Sequence, residues 1–182
     1  MTTSHRVFGL PLVELQLGHW FLLERIGSPI ATYGTVSLDD ARAATLVCAA
    51  PWRDSNSNLR SRWLSIGIAF WNWRTRKLNP DDECGKFSAY LDEQLACPKI
   101  ISEGYSTANS PWHWRLLVFL MSDMNMTEPA ALAMTVVRAN ALWAANLERT
   151  GAAKVAWGYR NQDFADAVRV LERDKAQSVA TN

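Results

Sequence analysis

The sequence predicts an all-α fold, a single compact domain of about seven helices over residues 1–182. We expect a short flexible N-terminus (1–6) and a flexible C-terminal tail (176–182). Three observations predict this class: apolar residues recur at helical spacing, capping residues and prolines mark the helix starts, and alternating runs long enough for a sheet are absent. At 182 residues, 48% hydrophobic and 20% charged, the chain has the composition of one folded domain.

The first predicted helix follows an extended start at 7–12. Its apolar face is formed by Leu15, His19, Leu22 and Ile26, and the helix ends at Gly27. On such a face, a core histidine bonded to a backbone carbonyl is commoner than a metal ligand, so we expect His19 to be buried.

The second predicted helix begins at Ser37, which forms a capping-box pattern with Asp40, and it ends before Pro51. One face carries only small side chains: Ala41, Ala44, Thr45 and Cys48. Small side chains let another helix approach closely, so we expect this helix near the centre of the fold.

The polar run 53–58 is predicted to be a loop. The third helix follows, with an apolar stripe formed by Leu59, Trp63, Ile66, Phe70 and Trp73. Trp71 lies about 100° away from that stripe and is therefore expected to be at least partly exposed. Asn79 and Pro80 start the fourth helix, whose buried face is Phe87, Leu91 and Leu95. Its acidic first turn (81–83) is explained by the helix dipole.

A polar loop at 101–110 separates the first four helices from the last three. Ser110 and Pro111 start the fifth helix. The sixth is predicted to run without interruption from Thr127 to a C-terminal glycine, Gly151, and Asn161 caps the seventh.

The sequence contains no assembled catalytic, cofactor-binding or metal-binding motif. Glycine-rich phosphate loops and nucleophile motifs are absent, and the three histidines and three cysteines lack metal-ligand spacing. The net charge of +1 does not indicate nucleic-acid binding, and the longest apolar runs are too short for a membrane span. With no signal-peptide pattern and unpaired cysteines, we expect a cytoplasmic, non-enzymatic protein without cofactors.

Protein binding is the remaining expectation, and the nine tryptophans are its main support. The candidate partner-binding residues are Trp71, Trp112, Trp114, His113 and Arg74. Since neighbours on a helix point in different directions, the three rings at 112–114 are not expected to form one cluster. The stretch 53–77 carries a net charge of +5 and the stretch 81–93 a net charge of −4. The simplest interpretation is that the two oppositely charged stretches pair with each other or form a solvated polar face. Binding to an acidic protein partner is the second interpretation, and binding to nucleic acid is the third.

Three stretches resemble helical proteins of tailed phages and prophages that are taken to be tail assembly chaperones. They are LQLGHWFLLERIGSP (15–29), VCAAPW (47–52) and EPAALAMTVVRANALWAANLERTG (128–151). The resemblance implies a non-enzymatic protein in the cytoplasm of a bacterial host. Such a chaperone binds the long helical tape-measure protein, keeps it soluble, helps to recruit tail-tube proteins and does not remain in the finished virion.

Apolar and aromatic grooves suit that role because they accept an amphipathic helix. The groups Trp63/Trp71/Trp73 and Trp112/Trp114 are the candidates for such a groove. The alternatives are a structural helical connector of a phage particle and a small enzyme whose site forms only in the fold. The enzyme alternative requires a pocket in which His19 or His113 approaches a cysteine or a carboxylate.

Overall fold

The computed structural model describes residues 5–32, 34–59, 64–101 and 110–156, and this part of the chain is mostly helical. Its eight helices are α1 (Leu17–Arg25), α2 (Leu38–Cys48), α3 (Trp52–Leu59), α4 (Leu64–Thr75), α5 (Pro80–Gln94), α6 (Trp112–Ser122), α7 (Glu128–Ala133) and α8 (Val136–Arg149). Two short antiparallel pairs complete it: β1 (Arg6–Val7) with β2 (Leu10–Pro11), and β3 (Lys99–Ile101) with β4 (Lys154–Ala156). The predicted helical fold class is confirmed.

The chain divides into two compact units. The first comprises Met1–Ala96 and Ser110–Ala139, and the second Cys97–Asn109 and Asn140–Asn182. A single domain over 1–182 stays a prediction. The seventh predicted helix, the tail 176–182 and residues 1–4 lie outside the described residues. Two residues of the N-terminus that was predicted to be flexible (1–6) are held in place. His5 is hydrogen-bonded to Glu93, and Arg6 pairs with Pro11 between β1 and β2.

The core of the first unit forms around α1 and α2. The small side chains of α2 are all buried, as predicted for a helix that others approach closely: Ala41, Ala44, Thr45 and Cys48. His19 is also fully buried. Its Nδ1 accepts a hydrogen bond from the Gln16 backbone N–H (3.1 Å), so its proton lies on Nε2, which donates to the Ala50 carbonyl (2.8 Å). The predicted core histidine is confirmed.

Local capping explains several helix ends. The Ser37 hydroxyl accepts from the backbone N–H of Asp40, and the Asp40 carboxylate accepts from the Ser37 N–H, which completes the predicted capping box. Asn79, the residue before Pro80, caps α5 because its side chain accepts a hydrogen bond from the Asp81 N–H. Gly27 ends α1 with φ at +69°, a conformation that glycine adopts without steric cost.

Two predicted boundaries are wrong. The polar run 53–58 is helical in α3, which packs against α1 and α2 and buries Ser55; the Ser55 hydroxyl donates to the Val47 carbonyl (2.7 Å). The uninterrupted helix predicted from Thr127 ends at Ala133, and α8 begins at Val136. Between them the chain pairs with the residues at the start of α1. The Leu17 N–H donates to the Met134 carbonyl, and the Val136 N–H donates to the Leu15 carbonyl.

The second unit contains β3, β4 and the C-terminal part of α8. Lys99 pairs with Ala156 and Ile101 with Lys154 in an antiparallel register. The predicted C-terminal glycine of α8 is confirmed, because Gly151 has φ at +71° and its N–H donates to Glu148 O. In the described residues, every helix is too short or too polar to cross a membrane.

Candidate functional site

An aromatic cluster lies where α1 packs against the first turn of α6. The Trp20 ring contacts the Trp112 ring (centroids 5.1 Å apart), and the Phe21 ring contacts His113 (5.1 Å) and Trp114 (4.8 Å). The centroid of His113 is also 5.6 Å from that of Trp112 and 6.4 Å from that of Trp114. The expectation that the three rings at 112–114 would not cluster is wrong, because both tryptophan rings lie beside the His113 ring and Trp20 and Phe21 of α1 pack against the group.

The members of the cluster differ in burial, and this separates structural from accessible rings. Trp20 and His113 are buried, Trp112 is half-buried, and Trp114 is 46% exposed. His113 was expected on a recognition surface, yet only 2% of it is accessible. Of the aromatic residues predicted at this position, Trp114 is the one that a partner can contact extensively.

His113 is bonded to a carboxylate beside the cluster. Its Nε2 lies 3.2 Å from Glu24 Oε2, and the Glu24 side chain is 36% exposed. The buried His113 Nδ1 has no hydrogen-bond partner in the described part of the chain. Glu24 therefore has one oxygen directed at the protein interior while part of its side chain remains at the surface.

Glu24 also lines a pocket of about 340 Å³ between α1, α3, α6 and α7, which we call the α1–α6 pocket. Its apolar walls are Phe21, Leu22, Trp52, Trp114 and Leu132. Its polar rim is Glu24, Arg25 and Asn56, and the Arg25 guanidinium donates to the Asn56 side-chain oxygen Oδ1 (2.9 Å). The volume is at the small end for ligand pockets, which is suited to one large side chain.

Gly18 makes this pocket possible. A Cβ at that position would lie 2.6 Å from two atoms of the Trp52 indole and 3.0 Å from the Leu132 carbonyl oxygen. The indole of Trp52 therefore packs directly on the backbone of α1. On its other side, Trp52 lines a second depression of about 410 Å³ that includes Gln16, Pro129 and Ala133.

The exposed face of α6 extends the apolar surface from the pocket. Trp114, Val118 and Met121 follow one another at i, i+4 and i+7 and are 46%, 61% and 41% exposed. The opposite face of α6 is buried through His113, Leu116 and Leu120. Because α6 is apolar on both sides, one of its two apolar faces lies at the surface of the protein. We call this exposed face, formed by Trp114, Val118 and Met121, the α6 stripe.

The candidate residues of α4 are not part of the cluster. Trp71 is only 8% exposed, and its indole N–H donates to the Phe8 carbonyl (3.0 Å). Trp73, placed in the buried stripe by the sequence, is 59% exposed and stacks with Arg76. The expected exposure of Trp71 is therefore wrong. Arg74 is exposed, as a partner-binding residue must be, whereas Trp63 and the side chain of Phe70 lie outside the described residues.

The other ionisable groups of the core are shielded from solvent. Burial lowers the pKa of His19 to about 4 and raises the pKa of the Cys48 thiol to about 12. Burial also raises the pKa of Tyr90, whose hydroxyl donates to the Val13 carbonyl. Each of these groups remains neutral at pH 7 and contributes to packing.

The residues that the structure describes contain no group of three His, Cys, Asp or Glu side chains placed to hold an ion. Comparison of the chain with protein-family models, curated proteins and solved structures gave no significant match.

Proposed function

We propose that this protein is a non-enzymatic assembly chaperone or adaptor that binds an amphipathic helix of the tape-measure protein during phage tail assembly. The partner is the one implied by the resemblance of three stretches to tail assembly chaperones. All three stretches contain residues that line the α1–α6 pocket, among them Phe21, Trp52 and Leu132.

The observation that carries the proposal is the α6 stripe and its continuity with the pocket. Trp114 belongs to both, so the stripe and the pocket form one apolar surface with a cavity at one end. An amphipathic helix binds such a surface through anchors at i, i+4 and i+7, and an aromatic at the edge of a pocket is a common energetic centre.

The enzyme alternative meets its stated condition in part, because His113 lies within hydrogen-bond distance of the Glu24 carboxylate. The histidine, however, is almost completely buried and is not among the residues that line the pocket, whereas Glu24 is. A molecule in the pocket would therefore contact the carboxylate and not the imidazole. This geometry favours a binding role for the pocket.

Co-expression tests the proposal directly. A tape-measure protein of a tailed phage is produced alone, with the wild type, and with the variant Met121→Glu, which places a charge on the α6 stripe. We expect wild type to keep the tape-measure protein in the soluble fraction and to co-purify with it, and Met121→Glu to do neither. Lys77→Glu, an exposed charge change beyond the end of α4, is the matched control and should behave as wild type.

Equal solubility of the tape-measure protein with and without this chain would refute the chaperone role. Stoichiometric recovery of the chain in purified tail particles would instead identify it as a structural connector.

A further inference from the structure

The α1–α6 pocket combines aromatic faces with a carboxylate, and this combination is specific enough to indicate what enters it. Phe21 and Trp114 both line the pocket, and their ring planes are at 89° to each other. Trp52 supplies a third aromatic surface across from α1. Aromatic faces attract cations, most strongly when the cation is partly removed from water.

The charges at the rim indicate the same preference. Glu24 is the acidic group of the pocket, and its side chain is 36% exposed. Its hydrogen bond to His113 holds the carboxylate at the aromatic cluster. The positive charge of Arg25 at the rim repels a cation that enters the pocket, but the Arg25 guanidinium is directed to Asn56 on α3.

We propose that the α1–α6 pocket receives an arginine side chain of the bound helix. The guanidinium stacks on the exposed Trp114 ring, to which the Phe21 ring is perpendicular, and pairs with the Glu24 carboxylate. A planar guanidinium suits this site because it stacks on rings and bonds carboxylates at the same time. The inference rests on the proposed function for the identity of the partner, but the pocket can be tested without that partner.

The test uses the full chain and two small probes, N-acetyl-arginine amide and N-acetyl-citrulline amide. Citrulline has nearly the same shape as arginine and no charge. Binding is followed by two-dimensional NMR of the Trp114 indole N–H, assigned from the variant Trp114→Phe. We expect arginine to bind at least fivefold more tightly than citrulline, a ratio in the range of a partly desolvated cation–π contact.

Two charge-neutralising variants test the electrostatics. Glu24→Gln should remove the preference for arginine, whereas Arg25→Gln should strengthen arginine binding because it removes the opposing charge. Arg74→Gln removes the same charge from α4 and should have no effect. Circular dichroism of each variant checks that the fold is retained.

Equal binding of arginine and citrulline, or an unchanged preference in Glu24→Gln, would overturn the arginine pocket. Neither result would affect the chaperone proposal, which depends on the α6 stripe and is measured with the tape-measure protein. Conversely, a tape-measure complex that survives Met121→Glu would count against the α6 stripe and not against the pocket, because Met121 does not line the pocket.

Discussion

Replacing Trp71 by alanine should destabilise the fold much more than replacing Trp114. Trp71 is 92% buried, and a tryptophan buries roughly 150–250 Å². At about 25 cal/mol per Å², the lost burial amounts to roughly 4 kcal/mol, in the range measured for Trp→Ala in protein cores. The change also leaves the Phe8 carbonyl without its indole donor.

Trp114 has only about half of its surface buried, so at the same coefficient Trp114→Ala should cost roughly 2–3 kcal/mol. Trp73→Ala, at the most exposed of these three tryptophans, should cost less than about 1 kcal/mol. The assay is urea unfolding followed by far-UV circular dichroism, from which the free energy of unfolding is extrapolated for each variant. A Trp71→Ala variant that is as stable as Trp114→Ala would refute the assignment of Trp71 to the core.

Two further predictions concern α1. Gly18→Ala should lower the free energy of unfolding by about 1–2 kcal/mol, because overpacking against Trp52 and the Leu132 carbonyl outweighs the gain in helix propensity. Stability should also fall as the pH drops from about 6.5 to about 4, since the neutral buried form of His19 binds fewer protons than the unfolded chain. The full loss for this one group is about 3 kcal/mol, and it is complete below the folded-state pKa.

Each of these two predictions has its own control. Gly85→Ala places a methyl group in open space in α5 and should be neutral or stabilising, so destabilisation of both glycine variants would show that crowding by Trp52 is not the cause. For the pH dependence, His19→Gln should flatten the slope between pH 6.5 and 4. A slope equal to that of wild type would assign the effect to other groups.

The starts of α2 and α5 were predictable from the sequence because capping is local. Ser37 with Asp40 and Asn79 before Pro80 satisfy backbone groups within a few residues, so their side chains identify the boundary. Gly27 and Gly151 mark helix ends for the same reason, since a positive φ favours glycine. The helical fold class follows from these signals.

The parts that depend on distant residues were not predictable. The break between α7 and α8 has no proline or glycine; it arises because Leu15 and Leu17 pair with that segment. The buried side of α4 was misjudged, since Trp71 is buried and Trp73 exposed, the reverse of the prediction. Trp71 is buried because its indole reaches Phe8.

The candidate site was also only partly predictable from the sequence. The sequence singled out Trp112 and Trp114, and the structure adds Phe21, Trp52 and Glu24 from α1 and α3. A hydrophobic position such as Phe21 has no local mark that distinguishes a pocket wall from a core residue. The exposed stripe on α6 could have been found, because the helix carries more apolar residues than one buried face requires.

The central claim is that the α6 stripe binds a helical segment of the tape-measure protein. Its most direct test is the affinity of the chain for a tape-measure fragment, measured by isothermal titration calorimetry. Trp114→Ala should weaken binding about 30-fold or more, equivalent to the roughly 2 kcal/mol of an interfacial hot spot. Trp73→Ala and Arg74→Ala should each change the affinity less than about threefold. Unchanged affinity in Trp114→Ala, with binding lost in Trp73→Ala or Arg74→Ala, would contradict the claim and place the interface on α4.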